Sequence, residues 1–347
     1  MLQAMAGAEH GGAEAFFSRL VCALHESGIQ QHILTRPDEV RIKAMRDAGL
    51  MPIEAPFGGI FDFSTKFKFN HEINRFKPDI ILTWMNRATK FCPYQKKAIV
   101  AARMGGFYNL KYYKNCDYIV GNTKDIVDYV VSNGWDKERV YYLPNFVDGA
   151  QSEPVSREKL YIPKNAKVIF ALGRFHENKA FDVLVKALAK LPEVYCIIAG
   201  DGPLRQKIEE IAKDYGSKPR IRFIGWQENV ASFYAASDIF VCPSRHEPLG
   251  NVVIEAWAQK LPVIASDASG PVSLIENGKN GILFPVDDDA ALVNAIKLLL
   301  SNKEMASNIA EHGYKSFAQN YKKEVVVKKY KNFFEEILKK GKRPRKG

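Results

Sequence analysis

The sequence predicts an α/β protein of two domains, each a doubly wound parallel sheet. Three observations lead there. The chain has 347 residues, more than one ordinary core organises at about 100–200 residues per domain. Short apolar runs alternate with helical stretches along its length, which is the signature of βαβ units. The pattern also restarts: after PNFVDG (Pro144–Gly149) comes the polar stretch AQSEPVSREK, and then a fresh apolar run from Ala166. The expected division is a first domain over 1–148, a linker over 149–162, a second domain over 163–320 and a terminal segment over 321–347.

In the first half the expected strands are one preceding Gly11-Gly12, then Gln31–Thr35, Asp79–Trp84, Asp117–Gly121 and Arg139–Leu143, with helices at Ala13–Glu26 and Lys124–Ser132. In the second half Ala166–Gly173 and Val194–Gly200 read as strands ending in glycine. Leu204–Tyr215 has helical charge spacing. IRFIG, DIFVCPS, PVIAS and GILFP are further strands, and Asn251–Gln259 is a helix. The tail places Val326, Tyr330, Phe333, Phe334, Ile337 and Leu338 near helical spacing, so it reads as an amphipathic helix ending in a loose basic end, GKRPRKG.

Charge is unevenly spread. Of the net +11, residues 1–150 carry +3 (19 basic, 16 acidic), residues 151–321 carry zero (20 and 20), and residues 322–347 carry +8 (11 and 3). A nucleic-acid binder needs a basic stripe on a folded domain, so this distribution argues against one. Five cysteines without a C-x-x-C pair point to reduced thiols and no metal site. No apolar run reaches bilayer length, and the N-terminus lacks a basic segment before an apolar block. The expectation is a cytoplasmic protein, attached to a membrane at most from its surface.

Three loops carry chemistry. GRFHENK follows a strand, so Arg174 and Lys179 stand beside Gly173 where a guanidinium and an ammonium could clamp a diphosphate. In SRHEPLGNVVIE, Glu247 and Glu255 flank the helix start at Leu249, Gly250 and Asn251. Backbone amides there favour an anion, and carboxylates suit sugar and ribose hydroxyls. Gly11-Gly12 opens a helix after a strand and lets backbone approach a phosphate. Each loop alone is more often an ordinary solvated turn or helix cap.

Taken together, GRFHENKAFDVLVKAL, AGDGPLRQKIE, IRFIG, SFYAASDIFVCPSRHEPLGNVVIEAWAQKLPVIAS and GPVSLIENGKNGILFPVDD, in that order, resemble the C-terminal domain of glycosyltransferase family 4. The upstream GGAE turn and LPNFVDG extend the likeness over nearly the whole chain. The resemblance implies the GT-B fold, two Rossmann-like domains facing each other across a cleft. It also implies a retaining transfer from a nucleotide sugar without a metal or other cofactor. By this resemblance Arg174 and Lys179 hold the donor diphosphate, Glu247 touches the donor sugar and Glu255 binds ribose. Leu249, Gly250 and Asn251 meet sugar or phosphate, Gly11-Gly12 closes on the phosphate, and Gly225 with Trp226 and Gln227 walls the nucleobase. UDP is expected ahead of GDP.

Many members of the family carry a histidine after a first-domain strand. Asn86 and Arg87 stand there instead, with His10 and His246 the nearest substitutes in sequence or ordinary structural histidines. Acceptor-side expectations rest on His10, Asn86 and Arg87. FGGIFDFSTKFKF (Phe57–Phe69) sets five phenylalanines among Lys66 and Lys68, suiting either an anionic bilayer surface or a core-packed helix. Arg87, Lys90, Lys96, Lys97 and Arg103 are expected to add a second basic cluster, one that could face lipid head groups or a phosphorylated glycan. The expected partners are a nucleotide-sugar donor, a lipid-linked or lipopolysaccharide-type glycan and an anionic membrane surface, with no nucleic acid. The rivals are an enzyme of the same fold making a soluble glycoside or sugar phosphate, a basic nucleic-acid- or membrane-surface-binding protein without catalysis, and an inactive nucleotide-sugar sensor.

Overall fold

The computed structural model describes the chain apart from Glu9, His10, Ile60, Glu228 and residues 345–347. It divides into two compact units, Met1–Phe146 with Lys323–Gly347, and Val147–Lys322.

Among the described residues the first unit holds strands β1 (Leu2–Met5), β2 (His32–Thr35), β3 (Ile53–Glu54), β4 (Ile80–Trp84), β5 (Ile99–Met104), β6 (Tyr118–Gly121) and β7 (Val140–Tyr142). Its helices before the crossover are α1 (Gly12–Glu26), α2 (Glu39–Asp47), α3 (Phe63–Phe76), α4 (Met85–Phe91) and α5 (Lys124–Ser132). The strands pair in parallel in the order β3-β2-β1-β4-β5-β6-β7, with Met5 opposite Trp84. Every residue of β1, β4, β5 and β6 is buried, because helices cover the sheet. Helix α1 forms because Phe16, Phe17, Leu20, Val21 and Leu24 fall on one face, and that face is buried.

The second unit holds β8 (Lys167–Leu172), α6 (Phe181–Ala189), β9 (Val194–Ala199), α7 (Arg205–Asp214), β10 (Ile221–Gly225), α8 (Ala231–Ala235), β11 (Ile239–Cys242), α9 (Asn251–Ala258), β12 (Val263–Ser266), α10 (Ser269–Leu274), β13 (Ile282–Phe284), α11 (Asp289–Ser301) and α12 (Lys303–Asn320). Its parallel order is β10-β9-β8-β11-β12-β13. In each unit the strand order reverses once, between β1 and β4 and between β8 and β11. Ligands of open sheets bind beyond the C-terminal strand ends at such a point.

The segment expected as a linker lies on the second unit. Gln151 Nε2 donates to the Ala258 carbonyl at 2.9 Å, Val155 N to Ser232 at 3.0 Å, and Arg157 reaches Asp238 at 3.2 Å.

The last helix, α13 (Lys323–Lys340), belongs to the first unit and buries Val326, Val327, Tyr330, Phe333, Phe334 and Ile337 there. Two expectations fail at this face. Arg103 is not part of a surface cluster. It lies in β5 and is 1% exposed, its guanidinium 4.8 Å from the Phe16 ring and 4.5 Å from the Trp84 ring. Its Nε donates to Tyr330 Oη at 2.9 Å and its Nη2 to Asn145 Oδ1 at 2.5 Å. Aromatic faces and neutral acceptors thus hold this charge. Nor is the basic end loose where it is described. Lys342 Nζ sits 2.8 Å from the fully buried Asp117 carboxylate, Arg343 N donates to the same carboxylate at 3.1 Å, and the Arg343 guanidinium lies 4.4 Å from the Trp135 ring.

Candidate active site

The reversal between β8 and β11 makes a site of two loops far apart in sequence. Ile239 and Phe240 pair with Ile169 and Phe170, so the segments leaving both strands emerge side by side. One carries Lys179 on a 3₁₀ turn, the other Glu247. The Lys179 ammonium meets the Glu247 carboxylate directly, and the side chains are 22% and 10% exposed. Ser244 Oγ also donates to Glu247, at 3.4 Å. Burial works against the Lys179 charge, but the Glu247 carboxylate, with Glu255 adding a smaller share, outweighs it and holds the ammonium above its ordinary pKa. Lys179, Glu247 and Glu255 therefore form one electrostatic group.

Packing fixes both loops. A Cβ on Gly173 would come 3.1 Å from the Lys179 stem, so the bare backbone there leaves that stem its place. Ala180, next to Lys179, takes a left-handed φ of 48°, a strained geometry held by its burial. Gly250 precedes α9 at φ 67°, where glycine is the residue that fits. The Glu247 carbonyl accepts from Gly270 N at 2.7 Å, and a Cβ on Gly270 would collide with the backbone of Glu247, Leu249 and Gly250. Glu255, one turn into α9, takes a 3.3 Å hydrogen bond from the buried Tyr234 hydroxyl. Arg174 is exposed beside these groups in sequence, and His246 is exposed with its backbone N–H on Asn178. Gly225 ends β10 at φ 72°, its carbonyl accepting from Gly200 N at 2.7 Å, and Trp226 is 72% exposed.

Arg245 is the residue that sequence reasoning missed. Its Nη1 and Nη2 grip Asp182 at 2.9 and 2.7 Å, and its Nε lies 2.6 Å from Asp287. Asp182 stands in the first turn of α6, directly after the Lys179 loop, so Arg245 ties the Glu247 loop to the Lys179 loop. Its place two residues before Glu247 was the available signal; its partner 63 residues away was not.

In the first unit Gly11 caps α1 and Gly12 begins it, both exposed. Glu14 folds back on this turn and accepts from Ala8 N at 2.9 Å. Asn86 and Arg87 follow β4, across the strand reversal. Asn86 Oδ1 already accepts the Tyr113 hydroxyl at 2.6 Å, and Arg87 is exposed. His10 lies outside the described residues. Among the described residues no group of three or more His, Cys, Asp or Glu side chains suits a metal ion, and no helix is long and apolar enough to cross a membrane.

Comparison with known proteins bears on the same regions. Residues 10–151 match the family described as Glycosyltransferase Family 4, and residues 152–316 that described as Glycosyl transferases group 1. The lipopolysaccharide core biosynthesis glycosyltransferase LpsE of Rhizobium meliloti (strain 1021) is 35% identical over 92% of this chain and 94% of its own. Among solved structures, a glycosyltransferase from Rickettsia africae ESF-5 superposes with a TM-score of 0.87 over 98% of both chains at 21% identity. Anabaena HepE, in complex with UDP and glucose, gives 0.82 over 96% of this chain and 99% of its own at 17% identity. The two parallel sheets, each reversing once, are those of the GT-B fold, and the chain belongs to glycosyltransferase family 4.

Proposed function

We propose that the chain moves a hexosyl or N-acetylhexosaminyl group, with retention, from a UDP-linked sugar to a lipid-linked or lipopolysaccharide core glycan. The carrying observation is the joining of Lys179, Glu247 and Glu255 at the strand reversal of the second unit. A diphosphate brings negative charge to Arg174, Lys179 and the amides opening α9, while Glu247 and Glu255 offer acceptors to sugar and ribose hydroxyls. When the bond from the anomeric carbon to the diphosphate breaks, the leaving group gains negative charge. Arg174 and Lys179 stabilise that charge electrostatically, the task a metal performs elsewhere. The acceptor oxygen bonds the anomeric carbon on the same face, and its proton passes to the departing phosphate oxygen. The acceptor reading is supported by the likeness to LpsE.

We further propose a peripheral position on the inner face of the cytoplasmic membrane. Phe61, Phe63 and Phe67 are 85%, 69% and 73% exposed, and Phe63 and Phe67 stand one turn apart on α3 beside exposed Lys66. Phe57 and Phe69 pack inside, and Lys68 is bound to the Glu54 carbonyl at 2.6 Å, so only part of the segment serves such a surface.

The test is a thermal-shift screen of nucleotide sugars, followed by transfer from the best donor to deacylated lipopolysaccharide core oligosaccharide, with and without EDTA. A donor that binds only the native state raises the melting temperature. An EDTA-resistant product with the donor's anomeric configuration is expected; an inverted product or full loss with EDTA contradicts the reading.

A further inference from the structure

The two strands that make the reversal in the second unit also hold a phenol behind Glu255. Tyr234 stands in α8 and is 1% exposed. Phe170 of β8 and Phe240 of β11 pair across the strands, and both are fully buried. The Tyr234 ring meets Phe170 edge to face at 4.7 Å and Phe240 at 5.2 Å. Its hydroxyl points the other way, to two oxygens of α9. The Val252 carbonyl and Glu255 Oε2 each lie at 3.3 Å.

One hydroxyl proton therefore faces two acceptors. The Val252 carbonyl lies inside α9, where the N–H four residues on, that of Ala256, is its helical partner. Glu255 offers a carboxylate, and a charged acceptor makes the stronger bond. Burial raises the Tyr234 pKa, with the Glu255 carboxylate adding to it, so the hydroxyl keeps its proton and donates. The aromatic pair fixes the ring, the ring fixes the hydroxyl, and the hydroxyl holds the half-buried Glu255 side chain in one arrangement. A glutamate that must be ordered on binding loses affinity for its ligand, and one ordered beforehand does not.

We propose that Tyr234 is a positioning residue: it touches no ligand itself, and it sets the Glu255 carboxylate for the two hydroxyls of the donor's ribose. The inference rests on the reading of Glu255 proposed above. The same hydrogen bond would also serve a purely structural purpose, joining α8 to α9. The two roles differ in whether the ribose hydroxyls feel the loss of the phenol.

The experiment titrates UDP and 2′,3′-dideoxy-UDP calorimetrically into the full-length protein and its Tyr234→Phe, Glu255→Ala and doubly substituted variants. Melting temperatures are read alongside. Tyr234→Phe keeps the ring and its packing and removes only the hydroxyl. The expected result is a UDP Kd raised about fivefold in Tyr234→Phe. The dideoxy analogue should bind that variant and the unsubstituted protein equally, because it has no hydroxyl for Glu255 to take. The double variant should bind UDP no more weakly than Glu255→Ala alone, since the two residues act as one. Unchanged UDP affinity in Tyr234→Phe overturns the inference and leaves the proposed function standing. Equal weakening of UDP and the dideoxy analogue, with a lower melting temperature, assigns Tyr234 to structure and overturns it too. If the unsubstituted protein does not bind UDP, or binds both nucleotides equally, the donor reading of Glu255 itself fails, and the inference with it.

Discussion

Lys179 keeps its charge inside the protein because carboxylates face it. Its raised pKa adds stability that is present below the unfolded value near 10.4 and lost only as pH rises through the higher folded value. Across neutral pH it is therefore a constant charge, fit to receive a diphosphate. Lys179→Met should slow turnover about 100-fold or more, because it removes charge that counts most as the leaving group forms. Glu255→Ala should instead weaken donor binding about tenfold or more. Steady-state kinetics separate the two, and full activity in both variants would refute the assignment. Asp182 gives the opposite pH dependence. Burial raises its pKa, but Arg245 outweighs that and holds it below the ordinary carboxylate range. Its contribution is present above the unfolded value near 3.9 and lost as pH falls through the lower folded value. Arg245→Met should cost about 1–2 kcal/mol at pH 7, discounted for partial exposure, with the gap to the unsubstituted protein closing below about pH 4. Urea unfolding at several pH values measures it. Arg174, Lys179 and Glu247 were legible as candidates because each lies in a loop after an apolar run that reads as a strand, and Glu255 because it sits a turn into the helix that follows. Arg245 was not, since what matters for it is a partner distant in sequence.

Elements were legible where apolar periodicity was uninterrupted. Lys124–Ser132 and Ile221–Gly225 form as expected, while other strands lose a residue or two at their ends. Strand β5 escaped notice because Arg103 interrupts IVAARM, and a charge inside a strand reads as exposure. Only tertiary structure supplies the rings of Phe16 and Trp84 and the Tyr330 hydroxyl that make its burial tolerable. Tyr330→Phe removes one hydrogen bond from a buried guanidinium and should destabilise the protein by about 1–3 kcal/mol in chemical denaturation, and no change would contradict this account of the tail helix. The glycine after β9 is as demanding. A Cβ on Gly200, whose φ is 120°, would lie 1.9 Å from the Gly173 carbonyl oxygen. Gly200→Ala should cost about 3 kcal/mol or more and disturb the Lys179 loop; a variant of full stability and activity would contradict the backbone packing.

At the scale of the whole molecule, the structural units resolve the charge more sharply than sequence blocks did. The second unit carries 21 basic and 21 acidic side chains; the first, with the tail helix, carries 29 and 18, so the entire +11 resides there. Part of it is spent internally, on Asp117 and on aromatic faces. In the proposed membrane position the remainder acts together with the exposed Phe61, Phe63 and Phe67. Vesicles rich in phosphatidylglycerol should therefore bind the protein at low salt, and Phe63→Ser with Phe67→Ser should lower that binding about tenfold. Equal binding by the double variant in a sedimentation assay would remove the phenylalanines from the account. By the function proposed above, the strand reversal between β8 and β11 is where a nucleotide sugar binds. Calorimetric titration with UDP, comparing the unsubstituted protein with Glu255→Ala, is the test: one site per chain is expected at micromolar to submillimolar Kd, weakened about tenfold or more in the variant. No binding by the unsubstituted protein, or equal binding by both, would contradict it.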